Sequence, residues 1–400
     1  MRRCLVVAWF GLATACGRDE PETALRIDTL STGTVIVKNP EQGVWDGSSG
    51  WRPVEDLRLG SAEGAGPDVF AFPAALEADA AGRLYVLDAP AAQVRVFGPD
   101  GTHVRSLGRQ GHGPGELAQP IGFALAPDGA VWVVDPRNRR YTVWDSTGAL
   151  RESVRRDNDL ATAPWPGRFD RRGRLWDVGP SSGQAGSAPT LLRRDGAESA
   201  AAAFSLPAVS PEQFSTTSGP VSSSVPVPFS PRMEWALDPD GRVWSGVTGS
   251  YRLAHWQPGG DTLRVVERPA APVLVSDAER DSLPAQLKWF TDQGGKVDLS
   301  RVPRNKPAFS SLFTDDRGWV WVRPSVPAGT SGTALDVFDP EGRYHGRVTI
   351  PIVVMEGMPL IVRGDRIYTV TLNDEGVPQV VRYRLEGRPV AGAERKVAAR

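Results

Sequence analysis

One short strand recurs along this chain and leaves few folds open to it. Leu84-Tyr85-Val86-Leu87 and Val131-Trp132-Val133-Val134 are β-branched and aromatic runs of strand length, each entered through a glycine turn and ended at an aspartate, Asp88 and Asp135. The pattern returns as Gly173-Arg174-Leu175-Trp176, Gly241-Arg242-Val243-Trp244, Gly318-Trp319-Val320-Trp321 and Asp365-Arg366-Ile367-Tyr368, six copies in all. Each copy carries an aromatic at the same place: Tyr85, Trp132, Trp176, Trp244, Trp321 and Tyr368. Asp79, Asp170, Asp238 and Asp315 stand just ahead of a turn glycine, where a carboxylate can bond the turn's own amides while the glycine takes a positive φ.

A second glycine turn follows at a matched interval, Gly82 to Gly101, Gly129 to Gly148 and Gly241 to Gly260, so each copy holds two hairpins, or four antiparallel strands. A four-stranded unit of this size exposes too much apolar surface to stand alone and must stack on its neighbours. Radial stacking of such sheets is a β-propeller, and six copies predict six blades in an all-β fold. Leu57-Arg58-Leu59-Gly60 reads as the last strand of a blade with no blade before it, while the sixth copy, Leu360 to Val362, Ile367 to Val370 and Val380 to Leu385, lacks a clear fourth strand. The economical solution is that a strand within 53–59 completes the last blade and closes the ring.

Composition agrees. Within 400 residues there are 43 Gly, 35 Pro and 13 Trp, and long helical periodicity is absent. A formal net charge of −1 offers no basic stripe for nucleic acid, so such partners are not expected. Met1-Arg2-Arg3 followed by a short apolar run reads as an export signal, and Ala13-Thr14-Ala15-Cys16 resembles a bacterial lipobox, with Ala13 where Leu is commoner. The expected organisation is a signal peptide over 1–15, a lipidated Cys16 and polar tether over 16–31, the propeller over 32–390 and a tail over 391–400, exported to the bacterial cell envelope and held to a membrane by its lipid. Cys4 and Cys16 are the sole cysteines, which leaves the folded part without a disulfide or a thiolate metal site.

Two additions interrupt the repeats. One, over 205–232, is rich in Ser, Ala and Pro and is expected as a partly ordered loop. The other, over 269–308, carries a capping-box pattern at Ser276-Asp277-Ala278-Glu279 followed by Leu283, Leu287 and Phe290 on one helical face, with Pro284 expected to kink the helix or split it in two. If strands run from inside to outside, both additions emerge on one face, together with the loop GRQGHGPGE and the loops after Asp88 and Asp135.

The Asp135-Pro136-Arg137-Asn138-Arg139 pattern and the GxGPGE loop resemble NHL-repeat propellers, and more closely the bacterial six-bladed β-propeller lipoproteins, a group whose function is unknown. The resemblance covers roughly 50–385, with its sharp motifs confined to the first two copies.

Candidate ligand-binding residues on the long-loop face are His112, Glu116, Asp88, Asp135, Arg137, Asn138, Lys306 and Arg323. For each the structural alternative is plain: a solvated turn position for His112, local amide capping for Glu116, Asp88 and Asp135, and ordinary solvated charge for the arginines and Lys306. The six aromatics are expected to be buried between sheets. The 4 His lie in different copies and predict no zinc or copper site, and GxSxG, P-loop and HExxH motifs are absent. Two functions of different class follow. The first is a non-catalytic, membrane-tethered binding or scaffold module for a protein or a small anionic or sugar-like ligand, without a cofactor. The second, implied by the NHL-like resemblance, is a metal-dependent lactonase or lyase, which needs Glu, Asn and Asp side chains converging on calcium at the channel mouth; Asp88, Glu116, Asp135 and Asn138 supply those residue types, and the sequence does not show that they converge.

Overall fold

A computed structural model describes residues 24–46, 49–157, 164–179, 190–196, 201–205, 209, 211–218 and 221–389. The signal segment, Cys4, Cys16 and the tail over 391–400 lie outside the described residues. The described chain forms six antiparallel sheets arranged as the blades of a propeller. Blade 1 comprises Pro73–Ala78, Leu84–Asp88, Gln93–Phe97 and His103–Leu107, in sequence order from the centre outward. Blades 2, 3 and 5 repeat it over 122–155, 168–205 and 309–350. Blade 6 takes Leu360–Arg363, Arg366–Leu372 and Pro378–Glu386 from the C-terminal end and Arg52–Leu59 from the N-terminal end, in register Leu57↔Arg382. The expected closing strand is therefore present, and the first and last blades share no open seam.

The turn aspartates explain why the strands bend where they do. In blade 3, Asp170 Oδ1 accepts the amides of Arg172 and Arg174 at 2.9 and 3.0 Å, and its Oδ2 takes Arg174 Nε at 2.7 Å and Trp176 Nε1 at 2.9 Å. Asp79, Asp238 and Asp315 hold their turns in the same way. The glycine that follows, Gly82 in blade 1, sits at φ 79°, where a Cβ would be strained. Each of the six aromatics then packs against the next blade. Tyr85 meets Phe123 and Val131, Trp176 meets Leu237 and Val243, Trp244 meets Phe309 and Leu312, and Tyr368 meets Leu76 and Val86. All six are buried, each worth roughly 2 kcal/mol of apolar burial.

Blade 4 departs from the repeat. Its sheet has six strands, because Val35–Lys38 adds in parallel to the outer strand Thr262–Glu267 and Arg26–Thr29 pairs antiparallel with Val35–Lys38. The tether expected over 16–31 is thus corrected at its C-terminal end, where Arg26–Thr29 is a strand. Its polarity suits an outer edge, and the strand it pairs with, Val35–Lys38, is itself placed by a partner more than two hundred residues away, out of reach of local pattern reading. From there the chain runs along the outer strand of blade 5, with Trp45 N donating to His345 O at 2.7 Å and Asn39 bonding Gly342 O and Tyr344 N at 2.9 and 2.7 Å.

The two additions are one lobe. Gln213–Ser218 and Val221–Pro226 form a hairpin, a correction to the loop expected there, since the Ser/Thr-rich run alternates Phe214 and Val225 inward. The capping box at Ser276 forms, and Pro284 sits inside the helix Asp277–Gln286, which ends before a second, Lys288–Asp292. Phe214, Val227, Leu283, Phe290 and Val302 make a small core between hairpin and helices, and Arg301 bonds Glu212 Oε1 at 2.7 Å. Both pieces connect an outermost strand to the next innermost strand and so share the long-loop face. Among the described residues no helix is long and apolar enough to cross a membrane.

Candidate functional site

The predicted residues gather only in part. Asp135 is fully buried and accepts the amides of Ala118 and Gln119 at 2.7 and 3.0 Å, together with Asn138 Nδ2 at 2.7 Å. Asn138 also bonds Gly111 O at 3.1 Å and His112 Nδ1 at 2.6 Å. Glu116 turns back into its own loop, accepting Gly113 N at 2.8 Å and Arg109 Nε at 2.9 Å. Those bonds, Gly113 foremost, hold its carboxyl below the ordinary range. Gly111, at φ 150°, is needed because any Cβ there would run into the Glu116 carboxylate. Arg140 closes the knot by donating to Gly113 O and Glu116 O at 2.6 and 2.8 Å. His112, Glu116, Asp135 and Asn138 therefore form one network that shapes the GxGPGE loop, with the side chains turned toward the backbone.

Asp88 does the same work one blade earlier, accepting Ala71 N and Phe72 N and pairing with Arg95 at 3.0 Å. Arg137 is exposed beside the Asp135 network. Lys306 lies elsewhere, pairing with the capping-box Glu279 at 2.5 Å and bonding Val326 O at 3.0 Å, which ties the lobe to blade 5. Arg323 bonds Val354 O near the long-loop mouth of the central channel, where burial lowers its pKa. At that mouth Arg232 already links Glu234 at 2.7 Å, Ser310 O at 2.8 Å and Glu356. Among the described residues no three His, Cys, Asp or Glu side chains come together as metal ligands.

The opposite mouth of the channel, ringed by the tight turns, holds a cavity of about 680 Å³. Glu77 projects from the innermost strand of blade 1, Arg168 begins that of blade 3 and Arg363 ends that of blade 6. Glu77 and Arg168 occupy equivalent positions, two residues before the turn aspartates Asp79 and Asp170, and pair in register with Tyr85 and Trp176. Blades 2, 4 and 5 have Ala124, Ala236 and Phe313 at that register position. The sequence signal was present: a charge within an otherwise apolar inner strand, at a fixed offset from the turn. Within one copy such a charge looks like any solvent-facing strand position, because the cavity it lines is built from several blades.

Arg168 is clamped by Nη1, which donates to Leu237 O and Thr314 Oγ1, both at 2.9 Å, so one guanidinium spans blades 3, 4 and 5. Burial lowers its pKa, opposed chiefly by Glu77. Burial likewise pushes the Glu77 carboxyl up, opposed by Arg168 and Arg363. Glu77 forms no ion pair with either arginine.

Residues 76–157, which hold blades 1 and 2, match the model of a family described as DUF5128, 6-bladed beta-propeller. No curated protein matches the chain. Solved structures similar to it include the calcium-binding protein regucalcin of Agrobacterium tumefaciens, at 14% identity and a TM-score of 0.42 over 80% of this chain and 93% of that one. A member of the duf4221 family from Bacteroides vulgatus is similar at 10% identity and a TM-score of 0.49, over 84% and 99%. A gluconolactonase from Xanthomonas campestris is similar at 13% identity and a TM-score of 0.40, over 84% and 99%.

Proposed function

From the premise that this chain is a six-bladed β-propeller, we propose that it is a non-catalytic binding module, exported and tethered to the bacterial envelope through Cys16, that takes a small polar ligand at the tight-turn mouth of its channel. One observation carries the site: Glu77, a half-buried carboxyl with a raised pKa, lines a ligand-sized cavity there without an ion pair. A concave site with a few convergent polar groups and a perturbed ionisable residue is where binding is first sought. The long-loop side chains support the assignment by contrast, since His112, Glu116, Asp135, Asn138 and Lys306 are engaged in holding loops.

The test is isothermal titration of the full exported chain with neutral sugars, sugar acids and amino acids, comparing wild type with Glu77→Gln. Binding by at least one class, weakened tenfold or more in the variant, is expected. A panel in which nothing binds, or binding that E77Q leaves intact, removes this mouth as the site. Mass spectrometry of the exported protein tests the tether, with a diacylglyceryl Cys16 at the mature N-terminus as the expected result.

A further inference from the structure

Resting on that reading of the tight-turn mouth, we infer that its ligand is a small zwitterion, a molecule carrying both an ammonium and a carboxylate, as an α-amino acid does. The cavity is lined by nine charged side chains, and seven of them are matched. Asp79 pairs with Arg83 at 2.6 Å, Asp170 with Arg174 at 2.7 Å, Asp128 with Arg151 at 3.0 Å and Arg171 with Asp240 at 2.8 Å. Arg363 reaches Asp316 at 3.9 Å, and Asp316 also accepts Gly364 N at 3.0 Å. Glu77 and Arg168 are left, of opposite sign, with no ion pair to each other or to any other described residue.

Two opposite charges partly removed from water would ordinarily close on each other. Here they form no ion pair: Glu77 stands on blade 1, while Arg168 on blade 3 is held to blades 4 and 5 by its Nη1 bonds. Each charge has lost hydration without gaining an ion pair, Arg168 having only the neutral acceptors Leu237 O and Thr314 Oγ1, and that is costly in a partly buried site. A ligand ammonium at Glu77 and a ligand carboxylate at Arg168, with Arg363 on the same flank as Glu77's neighbouring blade, would satisfy both together. A neutral polyol satisfies neither charge, and a simple anion leaves Glu77 facing added negative charge. Small residues such as Ala80, Ala81, Ala124 and Ala126 leave room on the wall for a side chain on the ligand.

Titration of the full exported chain with leucine, N-acetylleucine, leucinamide, glucose and gluconate decides the matter. Leucine is expected to bind, N-acetylleucine and leucinamide to bind at least tenfold more weakly, and E77Q to lose leucine binding by a similar factor while its unliganded melting temperature is equal or higher. Arg168→Lys, which keeps the charge but not the clamp, is expected to weaken leucine more than leucinamide. Binding of glucose or gluconate in preference to leucine, or of N-acetylleucine as tightly as leucine, overturns the zwitterion while leaving the site in place. No binding by any of the five overturns both the zwitterion and the site.

Discussion

Arg388 is fully buried just beyond the last strand, pairing with buried Asp315 and lying over the rings of Trp51, Trp321 and Trp319 at 4.6, 5.5 and 5.9 Å. It joins the segment ahead of the closing strand, the C-terminal end of the chain and the first turn of blade 5. Replacing it by methionine keeps most of the volume and removes the charge, leaving Asp315 ionised in a closed environment. Stranding one member of a buried pair costs about 3–5 kcal/mol, and loss of a desolvated cation–π contact adds up to about 2 kcal/mol. The guanidinium is itself only partly satisfied, since Nε and Nη1 have no hydrogen-bond acceptor, so the net effect should fall near the lower end, about 3 kcal/mol. At about 2.1 cal/mol/K per residue, a 400-residue chain then loses roughly 4 °C of melting temperature. The assay is urea unfolding followed by tryptophan fluorescence on wild type, R388M, D315N and the double variant. The double variant is expected to be more stable than the sum of the single losses implies, with a coupling of about 1.5 kcal/mol or more. A loss of about 0.5 kcal/mol or less in R388M, the size of an ordinary surface change, would refute the view that this pair latches the ring.

Further outcomes can be measured. Because burial raises the Glu77 carboxyl, the folded protein binds a proton that the unfolded chain has already released; wild type should therefore gain stability over E77Q as pH falls from 7, and the difference should level off below about pH 4, as unfolding midpoints across pH will show. Glu116 has the opposite sign: its depressed carboxyl favours the folded loop above the ordinary carboxylate range, and the protection of residues 108–117 against hydrogen exchange, taken relative to the intrinsic rate at each pH, should fall as pH falls below it, or at neutral pH in E116Q. Ser276→Ala should cost about 1 kcal/mol through the capping box and loosen the lobe without disturbing the blades, seen as faster exchange confined to 277–292. A chain beginning at residue 61 lacks the fourth strand of blade 6 and should fail to give a cooperative unfolding transition.

The charges of the candidate site are legible in the sequence, but their convergence is not. Glu77 and Arg168 repeat at one offset from their turn aspartates, yet nothing local says that blades 1 and 3 aim them at the same cavity. The long-loop residues show the converse. His112, Asp135 and Asn138 do meet, as their neighbourhood in the motif suggested, but the contact that unites them is a loop brace, and Lys306 was drawn away by Glu279, a residue of the inserted helix.

Four turn aspartates with their glycines, six aromatics and an unpaired strand at 53–59 were enough, from sequence alone, to specify a closed six-bladed ring, because hairpin chemistry and strand alternation act over a few residues. The tertiary structure alone decided that Arg26–Thr29 and Val35–Lys38 extend blade 4, that the two additions share one core, that Arg388 enters a tryptophan cage and that Glu77 and Arg168 line one cavity without an ion pair. Each of these joins residues far apart in the chain, and ring closure, which fixes the angle between blades, is what brings them within reach.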